Sequence, residues 1–597
     1  MSVFFNGQEL TTPVTASVVN DDAMLNQNLS VGNAIAFVGI SEGGHPQKVL
    51  AFSNPAEAKR TLVSGELCDA VVAAFAPSSQ TGAPQTVYAV RVNDSTPAFA
   101  SLLTPSGKRF GVLEGLTYSP RDKQVAIEVK PGVFSLDENT PLPTPGVNLV
   151  DLIVTYPDKN NNLVTVKGEH VNMSPLMLDI KEDNTSLAIT ATSFHLIMED
   201  ILPARKEIDV SFLDFPKLGD MVAYINGITN STGKHPFDLT LTMPETDSEL
   251  PSNIFDENKF KTKGTIYVSA NGWFISNWLN DKLAGVAKFA IADLSLTAEG
   301  LAPIPQNFLT QPKNGVPYPE HWQTAFDLLQ TKDVQWVQAV SGDEVVHAKV
   351  NAHCITCSNV LRKERRTICG TKSGISNEDA IKAAKGLNSP RASLVHIGHY
   401  AYDNRGKLSL RPAYMTAGLI AAAFAGSNPG TPMTNKLLNV QGLERDLVNP
   451  TETDVLLKGG VLPVENTETG YKVTQSISTW LADSKYNNRE QSCGVAVDFA
   501  IRNVRQALDV LRGQKQSPIL LSRAVSITKG VLTELARPEP QGPAVLVGNE
   551  KSPAWRNVSA TIEGDVLRIQ FEASPAIPNN YILVTMYAVP YSGSATA

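Results

Sequence analysis

The feature that most constrains this chain is a change of pattern in its interior. Apolar runs alternate with helix-like segments before residue 117 and again after 319, and a strand-rich stretch separates the two. Residues 34–39, Ala-Ile-Ala-Phe-Val-Gly, are continuously apolar and close on a Gly-containing turn at 41–44. A short run of that kind is a strand covered on both faces. Asn54 before Pro55 predicts a helix start, with Asn capping and Pro in the first turn. Gly65 interrupts that helix, and residues 86–92 read as the next strand. After 333 the alternation resumes: strand 334–340, helix 344–361, strand 366–370, helix 376–386, strand 392–397 and an Ala-rich helix over 412–425. Strands and helices in this order imply a mostly parallel sheet with helices on both faces.

Between these halves lie strands at 124–129 and 149–156, a hairpin through the polar loop 157–162 into 163–166, a helix over 218–226, and strands at 237–242 and 265–269. The Pro-rich segment 302–319 reads as the return linker. The chain divides into an arm (1–27), a first core part (28–116), an inserted β-rich domain (117–215), an inserted α/β domain (216–319), a second core part (320–450) and a C-terminal domain (451–597). The fold class is α/β and α+β multidomain. The last domain is α+β, with helices 494–511 and 517–535 and strands 557–562, 566–572 and 581–589.

The two ends carry strand-like runs with nothing beyond them to pair with. Val3, Phe4 and Phe5 lie in the first, and Ile582, Val584 and Met586 in the second. Residues 1–10 and 581–589 contain neither Lys nor Pro, the usual guards of an open strand edge. Strand addition to a neighbour's sheet is an established recognition mode, so two arms on one subunit point to an assembly.

At 597 residues the chain is too long for one core, and 42% apolar residues give ample material for burial. Charged residues are only 18%, which suits a protein hiding surface against partners. A net charge of −8 argues against direct nucleic-acid binding. No secretion signal opens the sequence, and the apolar stretch 417–425 is too short to cross a bilayer, so no membrane insertion is expected. Five cysteines without regular spacing form no disulfide framework and suit a reducing cytoplasm.

Four constellations could carry chemistry. Cys354 and Cys357 have zinc half-site spacing, beside His353 and upstream of Cys369, but no second pair completes four ligands. On a helix such cysteines read as core residues. The segment from Gly227 to Gly233-Lys234 is one residue too long for a phosphate loop, and His235 stands where Ser or Thr belongs. His396 and His399 follow a strand, with Asp403 and Ser409 nearby; Ser409 lies between leucines and on no nucleophile elbow. Arg502, Arg505 and Arg512 fall on one side of the helix 494–511 with Asp509. They are either a solvated face or a docking face for an acidic partner. No catalytic, metal or cofactor site is expected.

The motif order resembles the tail sheath proteins of contractile bacteriophages and related injection machines. The resemblance rests on Ala36-Phe37-Val38-Gly39 with residues 88–92; on Arg365-Arg366-Thr367-Ile368-Cys369-Gly370 with Leu387-Asn388-Ser389-Pro390-Arg391; on Pro412 and the helix through Ala417; and on Thr434-Asn435-Lys436, Gly442-Leu443-Glu444 and residues 456–461. It implies a subtilisin-like core that is not a protease, variable inserted domains, and arms exchanged between copies. A C-terminal-domain helix would face the inner tube, with Arg502, Arg505 and Arg512 as candidates. The implied partners are further copies in hexameric rings, the tail tube protein, and baseplate and terminator proteins. The implied location is the virion, with assembly in the host cytoplasm. A non-viral injection sheath, a capsid or surface-layer subunit, and a subtilisin-like serine hydrolase labelled at Ser409 are the alternatives.

Overall fold

The computed structural model describes residues 3–5, 8–10, 33–132, 149–158, 161–199, 205–243, 246–249, 251, 255–403 and 406–590. Its central element is a parallel sheet built from both halves of the chain. Trp336–Ala339, Ala34–Gly39 and Thr86–Arg91 lie side by side and parallel, with Val49–Phe52 antiparallel at one edge. Thr367–Gly370 and Ala392–Val395 form a second parallel pair. The Val337 amide donates to the Arg366 carbonyl at 3.0 Å and the Arg366 amide to the Gln335 carbonyl at 2.9 Å, joining the two. The strands carry almost unbroken apolar burial, as a sheet covered on both faces requires.

Helices Glu66–Ala73 and Ala413–Ala425 pack against this sheet and each other, while Pro319–Leu329 and Glu344–Asn359 pair together against it. Asn54 caps Pro55–Leu62 by accepting from the Glu57 amide at 2.9 Å. Gly65, at φ +102°, breaks the chain between that helix and the next. Only glycine is comfortable there. The Ala413–Ala425 helix is buried nearly all round. Its small side chains let it lie against the strands, with the Phe424 ring stacked 4.8 Å from that of Trp336.

The inserted region has two cores, nested rather than consecutive. One gathers Leu102, Phe110, Ile127, Leu152, Ile275 and Phe289, so residues before 117 and after 270 share it. The other gathers Leu178, Leu196, Phe212, Met221 and Phe237, all from the segment between. The expected boundaries at 117 and 216 therefore cut through cores. The cause is pairing across sequence distance: Arg109–Gly115 lies between Phe99–Leu103 and Ala287–Ile291. The Pro-rich return segment is likewise more than a linker. Ile304–Phe308 adds a strand beside Ala126–Pro131, and Lys313–Asn314 pairs with Ser95–Thr96.

Arg91 staples this junction. It is fully buried, and its guanidinium donates to the Gly44 and Tyr118 carbonyls at 3.0 and 3.2 Å and to Asn314 Oδ1 at 2.8 Å. One side chain thus ties the chain where it enters and leaves the insert. Burial lowers its pKa to about 10.

The C-terminal domain packs Gln491–Leu508 and Pro518–Leu535 together and sets the hairpin Trp555–Glu563/Val566–Ala573 against the latter. Beyond Ala573 no regular element follows among the described residues.

Candidate functional site

The C-terminal domain is held to the central sheet by charges on the helix Gln491–Leu508. Asp498 Oδ2 accepts from Arg366 Nε at 2.8 Å and from Arg391 Nη1 at 3.0 Å, and its Oδ1 accepts from Arg391 Nη2 at 3.2 Å. Burial alone would push this carboxyl up, but the two guanidinium groups outweigh it and hold it below its ordinary range. Arg366 also donates to the Pro390 carbonyl and to Gln491 Oε1, each at 2.9 Å. Gly494 leaves room for it, since a Cβ there would overlap the guanidinium.

One turn and two turns further along, Arg502 and Arg505 use the same side of the helix. Arg502 is 5% exposed; it donates to the Glu364 carbonyl at 2.8 Å and pairs with Asp333 at 3.3 Å. Arg505 pairs with Glu364 and donates to the Arg362 carbonyl at 2.6 Å. This corrects the reading of Arg502, Arg505 and Arg512 as one outward row. The first two are spent inside the chain on Asp333 and on the segment after Glu344–Asn359, because the helix is covered on two sides rather than one. Arg512 alone is exposed, beyond the helix end, in an i,i+3 pair with Asp509 at 2.6 Å.

The end of the chain is also unlike its expectation. Residues 581–590 are exposed throughout, and 581–589 form no strand. Ile582, Val584 and Met586 are 82%, 87% and 83% exposed. A strand exists only as part of a ladder, and no partner strand meets this segment among the described residues. Just before it, Asn580 Nδ2 donates to the buried carboxylate of Glu490 at 3.5 Å. At the other end, Val3–Phe5 is not unpaired: it forms a local hairpin with Gln8–Leu10. The rest of that expected run, 11–19, lies outside the described residues.

The remaining candidates sit in ordinary structural roles. Cys354, Cys357 and Cys369 are buried thiols, and burial pushes Cys354 and Cys369 up to about 12. His353 accepts from Arg365 at 2.8 Å. Gly227 ends the helix Leu218–Asn226, and Asn230 ties the following turn through the Thr232 and Lys234 amides. His399 bonds Thr416 Oγ1 at 2.9 Å and His396 bonds Asn377 Oδ1 at 2.8 Å, while Ser409 sits mid-strand opposite Ala401. The helix start that faces the strand ends offers Pro412, Ala413 and Tyr414. Among the described residues no helix is long and apolar enough to cross a membrane.

A parallel α/β centre, nested β-rich inserts and a docked C-terminal helix pair make up a mixed α/β multidomain fold. The structure superposes on the sheath tail protein Lin1278 from Listeria innocua with a TM-score of 0.52, covering 92% of this chain and 94% of that one at 10% identity. By sequence the chain is similar to bacteriophage tail sheath proteins. It is 24% identical to that of Bacillus phage SP01 over 605 residues, covering 100% of this chain and 98% of the relative. It is 25% identical to that of Staphylococcus phage Twort over 537 residues, covering 83% and 84%. No protein-family model matches.

Proposed function

We propose that this chain is the structural subunit of a contractile tail sheath, carried in the virion, and not an enzyme. The observation that carries this is similarity to phage tail sheath proteins along the whole chain. Copies polymerise in stacked hexameric rings around a tail tube, with a baseplate and a terminator at the ends, and contraction drives the tube through the host envelope. The energy is stored in assembly, and subunits move as rigid bodies joined by hinges. The parallel core supports the subtilisin-like reading of the fold, without a role for Ser409.

The arms supply the joints. Residues 581–589 are an apolar, strand-competent segment with no strand partner among the described residues. The hairpin Trp555–Glu563/Val566–Ala573 is two-stranded, so its outer edges are open to an added strand. Two strands alone are marginal, and a third from a neighbour stabilises both partners. Val3, Phe4 and Phe5 act at the other end. Arg512 is the remaining candidate for facing the tube.

Negative-stain electron microscopy of the purified chain tests this. Hollow, helically striated cylinders are the expected product, alone or on co-expression with the tube protein. Closed shells or flat lattices would instead place the chain among capsid or surface-layer subunits. Persistent monomers in both preparations would end the sheath reading.

A further inference from the structure

The chain has ten methionines, and their surroundings differ. Met198, Met221, Met415 and Met433 are buried, and Met173, Met177 and Met243 are half-buried. Met586 is 83% exposed, and no other methionine is exposed among the described residues. A thioether is oxidised through a lone pair on sulfur, so an oxidant in solution must reach that atom. In the unassembled chain it reaches Met586 first.

The place of Met586 in the terminal segment gives that reaction a consequence. Side chains two apart share one face of a strand. Ile582, Val584, Met586 and Ala588 make a face with no oxygen or nitrogen in its side chains. Thr585 and the hydroxyls of Tyr581 and Tyr587 fall on the other. In a half-buried strand the first of these faces is the one that turns inward. The hairpin Trp555–Glu563/Val566–Ala573 likewise turns Val558, Ala560, Leu567, Ile569 and Phe571 toward the C-terminal helices. A strand added at its edge continues that apolar layer and carries the Met586 sulfur into it. A sulfoxide would bring a strong acceptor oxygen into the same layer, where the neighbouring side chains offer no donor.

We propose that Met586 is a redox-modification site: peroxides oxidise its thioether in the unassembled chain, and the sulfoxide blocks addition of the terminal strand to a neighbouring copy. The sulfur lone pair attacks one peroxide oxygen, the S–O bond forms and the O–O bond breaks. The departing oxygen takes up a proton and leaves as water or an alcohol. Sulfur loses two electrons and the peroxide gains them. Burial in an assembled copy removes the access, so assembly protects the residue. The block rests on the strand exchange proposed above, whereas the reactivity of Met586 rests on its exposure alone.

Hydrogen peroxide treatment of the unassembled full chain, followed by peptide mass mapping and a polymerisation assay, tests both parts. Met586 should gain one oxygen ahead of Met198, Met221, Met415 and Met433. After removal of the peroxide, the concentration needed for polymerisation should rise about tenfold, as burial of one polar group without a donor implies. Methionine sulfoxide reductases should restore it. Met586→Leu, which keeps the volume and the apolar face, should polymerise like wild type before and after peroxide. Oxidation of Met586 no faster than the buried methionines overturns the site. Full conversion at Met586 with unchanged polymerisation overturns the block, and so does equal peroxide sensitivity of Met586→Leu. Untreated wild type that forms no polymers, alone or with the tube protein, overturns the block together with the sheath reading, while the mapping still decides the site.

Discussion

Arg366 and Asp498 meet at 2.8 Å across 132 residues of chain, and with Arg391 they form a buried triad joining the sheet to the C-terminal helix. Two of the motifs that marked this sequence, Arg365-Arg366 and Ser389-Pro390-Arg391, thereby acquire a physical reason. Each delivers one guanidinium to the same carboxylate.

Removing the shared anion should therefore cost far more than removing a surface charge. Asp498→Ala leaves two buried cations uncompensated, a loss on the order of 3–5 kcal/mol. Asp498→Asn should lose most of that too, because the amide restores shape but not charge. Urea unfolding of the unassembled chain checks it. A midpoint within experimental error of wild type would show that the triad contributes nothing.

Much of the centre was legible because its cues are local. The run 34–39, the Asn54-Pro55 start and the Gly65 break all act within a few residues, and each lies where expected. The nested inserts were not, since their cores are set by pairings such as that of Leu113 with Phe289, far apart in the chain. The orientation of Arg502 was missed for a related reason. A helical wheel assumes one buried face, whereas Gln491–Leu508 buries Phe499 and Val504 on its own domain and Asp498 and Arg502 on the sheet domain. The surroundings of His396 were half visible: the histidine stood out, but its partner Asn377 comes from another element.

Buried histidines should make the fold acid-sensitive well above the carboxylate range. Burial lowers His396 and His399 from 6.5 to about 4, His353 to about 3, and His347 in the same direction. The sign follows from linkage. Below 6.5 the unfolded chain binds protons that the folded chain refuses, so this stability is present above 6.5 and is lost as pH falls toward 4. Glu490 and Asp122, both raised mainly by burial, act in the opposite sense over part of that range. The histidines outnumber them. The loss between pH 7 and pH 5 should be about 2 kcal/mol for each of His396 and His399. A urea midpoint that is flat across this interval would contradict the expectation.

Close backbone approach should make Gly370 intolerant of any side chain. A Cβ there would overlap the Tyr414 backbone, where the buried helix Ala413–Ala425 starts against the strand. Neither element can retreat without opening the core. Gly370→Ala should destabilise by about 1–3 kcal/mol or abolish soluble expression. Gly386→Ala, with open space around it, should be neutral or slightly stabilising. Equal behaviour of the two in thermal unfolding would remove the argument.

The end of the chain should separate folding from association. Residues 581–590 are exposed along their length, so truncation after Asn580 deletes little that the isolated body uses. Its melting temperature should stay within about 1 °C of wild type, since surface changes away from special features are nearly neutral. Association is a different matter. Ile582, Leu583, Val584 and Met586 each stand to gain about 1.5–3 kcal/mol on full burial, and the backbone gains a ladder. A strand that adds to a neighbour's hairpin collects both, and the truncated chain collects neither. Polymerisation should be lost while the monomer melts as before. A truncated chain that forms cylinders as readily as wild type would assign the joints elsewhere, and a truncated monomer that melts early would show the segment serving its own body instead of a neighbour's.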